Sequence, residues 1–189
     1  MKDTEKQIFE RLEHLYSEMD RAWETTASLY GFKCNGCDEN CCETEFHHHT
    51  LIEKAYLIKG FNQLPPPAAV GVKKRTKKVQ TKRNIAAKKG ESIRIMCPLN
   101  QGGKCILYKF RPMICRLHGI PHELRKPGCL PVLSPGCKAG SNLFNAAGYI
   151  QFDRTPFYIE MAKIEKEYQG LMDNKVTRNR ETIAQILVK

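Results

Sequence analysis

The sequence lacks the long apolar runs that cross membranes. No uninterrupted apolar stretch among its 189 residues approaches the length that a bilayer requires. The charged start, residues 1–7, is not followed by an apolar segment, so we expect no secretory signal peptide. These two absences predict a cytoplasmic protein that does not associate with membranes. In that compartment glutathione and thioredoxin keep thiols reduced.

Acidic residues are absent between Gly71 and Gly90, although the whole chain contains 20 of them. The net charge is +11, and this interval supplies nine positive charges: Lys73, Lys74, Arg75, Lys77, Lys78, Lys82, Arg83, Lys88 and Lys89. The concentration of charge in one segment predicts either a solvated face or a contact with an acidic partner or nucleic acid through Lys73–Lys89. No aromatic residue lies between Gln63 and Tyr108, so this segment has no base-stacking platform of its own.

What the sequence has in excess is cysteine. There are nine: Cys34, Cys37, Cys41, Cys42, Cys97, Cys105, Cys115, Cys129 and Cys137. In a reducing compartment, clustered cysteines act more often as metal ligands or redox groups than as disulfides. An odd number would also leave one thiol outside any disulfide framework. The sequence therefore predicts a centre that holds zinc, iron or an iron–sulfur cluster, with all nine cysteines as candidate ligands.

The spacing of the first four cysteines favours metal binding over simple burial. Cys34 and Cys37 form a two-residue knuckle, in which both sulfurs can face one ion. The adjacent pair Cys41 and Cys42 rarely binds one tetrahedral ion without strain, so it indicates two ions, a cluster, or one ligand with one bystander. An isolated thiol such as Cys129 also fits the interpretation of a small buried hydrophobe.

Three consecutive histidines, 47–49, follow the first cysteine block. They cannot all point at one site in any regular structure. One of them could complete a mixed Cys/His site or support a ligand from the second shell. A surface role is the simpler interpretation for His118 and His122.

The hydrophobic pattern predicts a mainly α-helical fold with one small β-hairpin, in a single metal-stapled domain flanked by terminal helices. We expect an N-terminal amphipathic helix in residues 1–31, a cysteine-cluster domain over 32–140 that includes the basic segment 71–90, and a C-terminal helical region over 141–189. Apolar residues at three- and four-residue spacing place Ile8, Leu12, Leu15, Met19, Trp23 and Tyr30 on the core face of the first helix.

Local signals refine the expected elements. Thr50 and Glu53 fit a capping box for a helix that ends at Gly60, and three prolines, 65–67, predict an extended linker. The basic segment is a thinly amphipathic helix or a mobile loop. Strands over 91–96 and 105–108 would form the hairpin, with its turn at 100–103. Residues 121–140 are expected to be irregular. Helices should follow over 155–171 and 177–188.

These residues together resemble a known family. The chain is similar to the bacterial cysteine-cluster family named for its CxxCxxCC motif, also called YkgJ-like. The similarity consists of the first block of four cysteines and a second block: Cys97-Pro98, a glycine turn, Cys105-x-x-Tyr108 and Arg111-Pro-x-x-Cys-Arg116. The resemblance covers residues 32–137, and the second block is the more specific part. One departure is the spacing of three residues between Cys37 and Cys41, where the family name specifies two.

The resemblance implies a zinc- or iron-chelating domain without a settled molecular role. The ligands that it implies are Cys34, Cys37, Cys41, Cys42, Cys97, Cys105 and Cys115, with Cys129 or Cys137 as one more. Arg111 and Arg116 would offset thiolate charge or form ordinary salt bridges. Flagellin lysine methylases carry a related cysteine-rich domain linked to an iron–sulfur centre. A cluster-dependent protein lysine N-methyltransferase is therefore an alternative function, although the chain has no recognisable S-adenosylmethionine motif.

Overall fold

A computed structural model describes residues 2–34, 41–126, 128–172 and 180–188. Within these residues there are seven α-helices and two small antiparallel strand pairs, which confirms the predicted fold class. The helices are α1 (Lys2–Leu29), α2 (Leu51–Asn62), α3 (Pro66–Lys88), α4 (Met113–Leu117), α5 (Ser141–Ala147), α6 (Thr155–Gly170) and α7 (Ile183–Val188). The strands are β1 (Asn100–Gln101), β2 (Lys104–Cys105), β3 (His122–Leu124) and β4 (Val132–Ser134). None of the helices in this described part combines the length and apolar character needed to span a membrane.

The chain divides into two compact units, each built from two separate stretches. The first unit comprises Met1–Glu39 and Met113–Asn174, and the second comprises Asn40–Pro112 and Lys175–Lys189. The first unit thus contains α1, α4, α5 and α6 with the β3–β4 pair. The second contains α2, α3 and α7 with the β1–β2 pair. The division of the chain at residues 31 and 140 that the sequence suggested stays a prediction.

The long helix α1 organises the first unit, as its apolar spacing predicted. Its residues Ile8, Leu12, Leu15 and Met19 are all buried, and it packs against α4 and α6. Gly31 has a φ of +64°, which is the left-handed conformation expected of a helix stop. The N–H groups of Gly31 and its successor donate to carbonyls of the last helical turn, at 3.0 and 2.8 Å. The predicted first helix is confirmed.

The second unit is built on the contact of α3 and α2 with the short helix α7. Six of its buried apolar residues form one cluster: Leu57, Val72, Leu99, Leu107, Ile186 and Leu187. The basic segment is a continuous helix within α3, and Val72, Val79 and Ala86 are buried as their seven-residue spacing suggested. The structure thus decides in favour of the helix over the mobile loop.

Three expectations about local structure are wrong. Only Pro65 is extended, because the next two prolines occupy the first turn of α3, where no backbone N–H is required. Residues 91–96 form no strand, and the hairpin is shorter, with the two-residue turn Gly102–Gly103 at positive φ between β1 and β2. The expected irregular region 121–140 contains the β3–β4 pair.

The helix predictions are also adjusted at their ends. The Thr50 hydroxyl donates to the Glu53 carboxylate at 2.6 Å rather than capping the backbone of α2. The helix at 155–171 is confirmed as α6. The last helix begins only at Ile183; the first residues predicted for it, 177–179, lie outside the described residues.

Gly60 is not the stop of α2 but a contact point inside it. The helix continues to Asn62, and the ring of Phe110 lies directly over Gly60. A Cβ atom at this position would lie 2.2 Å from Cγ of Phe110. Glycine is therefore required here by packing, since a side chain of any size would displace the aromatic ring.

We expect Gly60→Ala to lower the free energy of unfolding by about 1–3 kcal/mol, because the new methyl group overpacks this contact. Gly71→Ala in α3 is the matched control: its nearest neighbour is the flexible end of Arg75 at 3.4 Å. That control should be neutral, or stabilising by up to about 1 kcal/mol through helix propensity. Urea unfolding of both variants measures the difference, and equal stability of the two would contradict the packing assignment.

Candidate metal centre

The structure gathers cysteines from three stretches of the second unit. Cys41 and Cys42 lie in a single 3₁₀ turn, Cys97 lies in the loop before the hairpin, and Cys105 lies on β2. All four belong to the second unit. Cys34, Cys115, Cys129 and Cys137 belong to the first unit, where Cys34 and Cys129 are exposed. Cys37 lies outside the described residues.

A backbone hydrogen bond fixes the first contact among the four. The N–H of Cys97 donates to the carbonyl oxygen of Cys42 at 2.8 Å. It joins two loops that are far apart in the sequence, and it brings the Cys41–Cys42 turn beside Cys97. The side chain of Cys41 in turn donates a hydrogen bond to the sulfur of Cys42.

The hairpin adds Cys105 to this neighbourhood. Asn100 pairs with Cys105 across the β1–β2 ladder, and the N–H of Asn100 donates to the carbonyl of Cys97 at 3.0 Å. Gly102 and Gly103 close the tight turn between these strands. The glycine turn therefore positions Cys105 relative to Cys97, which gives a structural reason for the spacing of the second sequence block.

Hydrogen bonding makes the thiol of Cys42 more acidic than an ordinary cysteine. The hydrogen bond from Cys41 lowers the pKa of Cys42 to about 6, although burial opposes the shift. The side chain of Asn100 makes a smaller contribution to the same shift. The sequence indicated only a turn role for Asn100, because nothing in the linear pattern places its amide against a thiol 58 positions earlier. A thiolate is the form in which cysteine binds metal ions.

Cys97 shows the opposite behaviour because it is more deeply buried. Its pKa is raised to about 12, mainly by burial and in part by the nearby charges of Cys105 and Cys42. The backbone N–H groups of Leu99 and Asn100 hydrogen-bond to the Cys97 sulfur and partly offset this effect. N–H groups directed at a cysteine sulfur are the kind of outer-shell support that metal-bound thiolates use.

The four thiols lie in one neighbourhood, but their side chains do not form a complete set of metal ligands. Among the described residues, no three Cys, His, Asp or Glu side chains are placed so that they could hold a metal ion. The donor chemistry nevertheless fits a soft or borderline cation, since thiolates select zinc, iron–sulfur clusters and copper(I) over magnesium or calcium.

The histidines beside this group have structural roles. His48 is buried, and its backbone forms a β-bridge with Glu181, with His48 N–H donating at 2.8 Å. Burial, together with the charges of its two histidine neighbours, lowers the pKa of His48 to about 4. His47 Nε2 lies 3.6 Å from a carboxylate oxygen of Glu45.

The first unit contains the other two histidines considered above. Burial lowers the pKa of both His118 and His122, so a plain surface role does not describe them.

The two arginines of the second sequence block make contacts other than with thiols. Arg116 is buried, pairs with Asp20 at 2.5 Å and lies over the Tyr16 ring at 4.0 Å. Arg111 lies over the Tyr108 ring at 3.7 Å. Of the two roles expected for these arginines, compensation of thiolate charge or an ordinary salt bridge, Arg116 has the salt bridge.

The buried His48 predicts a pH dependence of stability. Its pKa is about 4 in the folded chain and about 6.5 in the unfolded chain, so the unfolded state takes up a proton first as the pH falls. Stability is therefore lost as the pH falls from about 6.5 towards 4. Between pH 7 and pH 5 this one group should remove about 2 kcal/mol from the free energy of unfolding.

His48→Asn should make the loss of stability between these two pH values smaller by that amount in urea unfolding. His14→Asn is the control for the loss of one histidine, because His14 is exposed on α1. If the His48 variant lost as much stability as the unmodified protein, the burial of a neutral imidazole would be wrong.

Comparison with known proteins identifies no relative of this chain. No protein family, curated protein or solved structure matches the chain. The similarity to the cysteine-cluster family, implied by the two cysteine blocks, thus stays a prediction. The functional assignment depends on the residues and contacts described above.

Proposed function

We propose that this chain is a metal-binding protein whose second unit holds zinc or iron, as a single ion or an iron–sulfur cluster, through Cys41, Cys42, Cys97 and Cys105. The observation that supports this most is the convergence of these four thiols from three separate stretches. Cysteines that serve only as small core residues have no reason to gather in this way.

The proposed metal would fasten parts of the second unit that have little regular structure. Residues 91–97 and most of 44–50 lie outside helices and strands. Their contacts include the ion pair of Glu45 with Arg83 and the hydrogen bond from the Cys97 N–H to the carbonyl of Cys42 at 2.8 Å. A cation shared between Cys42 and Cys97 would join both loops to the hairpin. Adjacent cysteines such as Cys41 and Cys42 rarely bind one tetrahedral ion without strain, so a single zinc would strain this turn, whereas an iron–sulfur cluster would offer the two thiols different iron atoms.

Metal content tests the proposal directly. Protein purified without oxygen should contain about one equivalent of zinc or iron, or more iron if a cluster is present, and a brown colour would select the cluster. The double variant Cys42→Ser/Cys97→Ser should lose most of this metal, because two of the four thiolates are removed. Less than about half an equivalent of zinc plus iron in the unmodified protein would contradict the proposal.

Cys129→Ser is the matched control for that measurement. This thiol is exposed, belongs to the first unit and is outside the proposed ligand set. The control protein should keep the same metal content as the unmodified protein. If it lost metal while the double variant kept it, the ligand assignment would be wrong.

Metal removal should also lower stability. Structural zinc contributes on the order of 10 kcal/mol to folding, so treatment with a chelator should lower the melting temperature by more than about 10 °C. Restoring the metal should restore the melting temperature. The double cysteine variant should melt at a low temperature with or without chelator; a further large decrease on chelation would show that the metal is bound elsewhere.

A further inference from the structure

The basic helix α3 has two faces with different chemistry. One face, with Val72, Thr76, Val79 and Ala86, is buried, and the helix packs on α7. The two arginines of the helix take part in internal contacts. Arg75 donates to the carbonyl of Pro98 at 2.8 Å, and Arg83, whose side chain is 12% exposed, pairs with Glu45.

The opposite face consists mainly of lysines. Six of them are exposed on α3: Lys73, Lys74, Lys77, Lys78, Lys82 and Lys88. Among the described residues none of the six forms an ion pair, and Lys73 additionally lies 5.9 Å from the centre of the Phe61 ring. We call these six residues the lysine face. It extends over about 22 Å, because fifteen residues of α-helix each rise about 1.5 Å.

The arrangement of the lysine face concentrates positive charge along one line. Lys74, Lys78 and Lys82 follow one another at four-residue spacing, so their side chains lie one turn apart on the helix surface. Like charges at this spacing repel each other and weaken the helix by a few tenths of a kcal/mol per pair. A ligand with a closely spaced row of negative charges would relieve that repulsion along the whole face.

We propose that the lysine face of α3 is a docking surface for the phosphate backbone of a nucleic acid duplex, DNA or RNA. Double-stranded DNA carries one negative charge per about 1.7 Å of its axis, which provides such a row. Lysines are point charges that contact phosphates, whereas bidentate base recognition is mainly the role of arginine, and both arginines of α3 are used internally. The docking is therefore independent of base sequence.

Two other polyanions fit the surface less well. A helix that lies on a membrane needs an apolar face free for the lipid, but the apolar face of α3 is already buried. Only Val70 and Ile85 are large apolar residues exposed on the helix. Single strands are bound mainly by aromatic stacking, and no aromatic residue occurs between Gln63 and Tyr108.

Binding of the protein, as purified, to fluorescent duplexes tests the proposal. DNA and RNA duplexes of one sequence and of a second, unrelated sequence form the main arms, with a single strand and phosphatidylserine vesicles as further arms. We expect binding to at least one duplex type, equal for both sequences. The logarithm of the association constant should fall with the logarithm of salt concentration with a slope near −3 for about three phosphate contacts to DNA.

The decisive variant is Lys74→Gln/Lys77→Gln/Lys78→Gln/Lys82→Gln, which should weaken duplex binding by about tenfold or more and flatten the salt dependence. Its matched control changes four exposed lysines elsewhere to glutamine, Lys6, Lys126, Lys163 and Lys166, and thus removes the same net charge. The control should bind as the unmodified protein does. Helical circular dichroism confirms that each variant is folded.

Three outcomes would overturn the proposal. The first is a lysine-face variant that binds duplexes as tightly as the unmodified protein. The second is an equal loss in both variants, which would reflect net charge alone. The third is binding to vesicles without binding to either duplex. Because this surface contains no candidate metal ligand, none of these results bears on the proposed metal site.

Discussion

The hydrogen bond from the Cys97 N–H to the carbonyl of Cys42 is the contact on which the grouping of the cysteines in the second unit depends most. It joins two loops that lack regular structure, and it places three cysteines in one neighbourhood. The fourth, Cys105, is supplied by a hairpin whose turn is made by two glycines at positive φ. Backbone hydrogen bonds and the strand pairing thus bring these cysteines into one neighbourhood.

The thiols of Cys42 and Cys97 differ in how readily they ionise. Cys42 is acidic because Cys41 donates to it, while burial and its neighbours make Cys97 resist ionisation. A bound cation would favour the thiolate at every one of these positions, because opposite charge stabilises the ionised form. The same unit contains a large excess of positive charge on α3, but its two arginines are directed to Pro98 and Glu45 rather than to the thiols. The lysine face remains available to a partner from outside.

Much of the fold could be predicted from the sequence, because helix periodicity is a local signal. The core face of α1, its end at Gly31 and the buried positions of α3 followed directly from residue spacing. The predictions failed where a local signal has two meanings. Pro66 and Pro67 can extend a linker or begin a helix, and here they begin α3. Gly60 can end a helix or leave space for a packed side chain, and here the ring of Phe110 packs over it.

The candidate site could be predicted in its residue types but not in its grouping. Cysteine clustering identified the chemistry, and the block from Cys97 to Cys105 indicated two thiols on one hairpin. The association of Cys42 with Cys97 depends on a long-range contact that no spacing rule encodes. The same is true of the effect of Asn100 on the pKa of Cys42. His48 was a ligand candidate in the sequence, and only the structure shows the burial and the Glu181 bridge that give it a structural role.

X-ray absorption at the zinc and iron edges of the purified protein is the most direct test of the central claim, that the four thiols of the second unit bind one metal centre. The account predicts a first shell of about four sulfur atoms at roughly 2.3 Å, which is lost in the Cys42→Ser/Cys97→Ser variant. A first shell of nitrogen and oxygen, or a sulfur shell that persists in that variant, would contradict it.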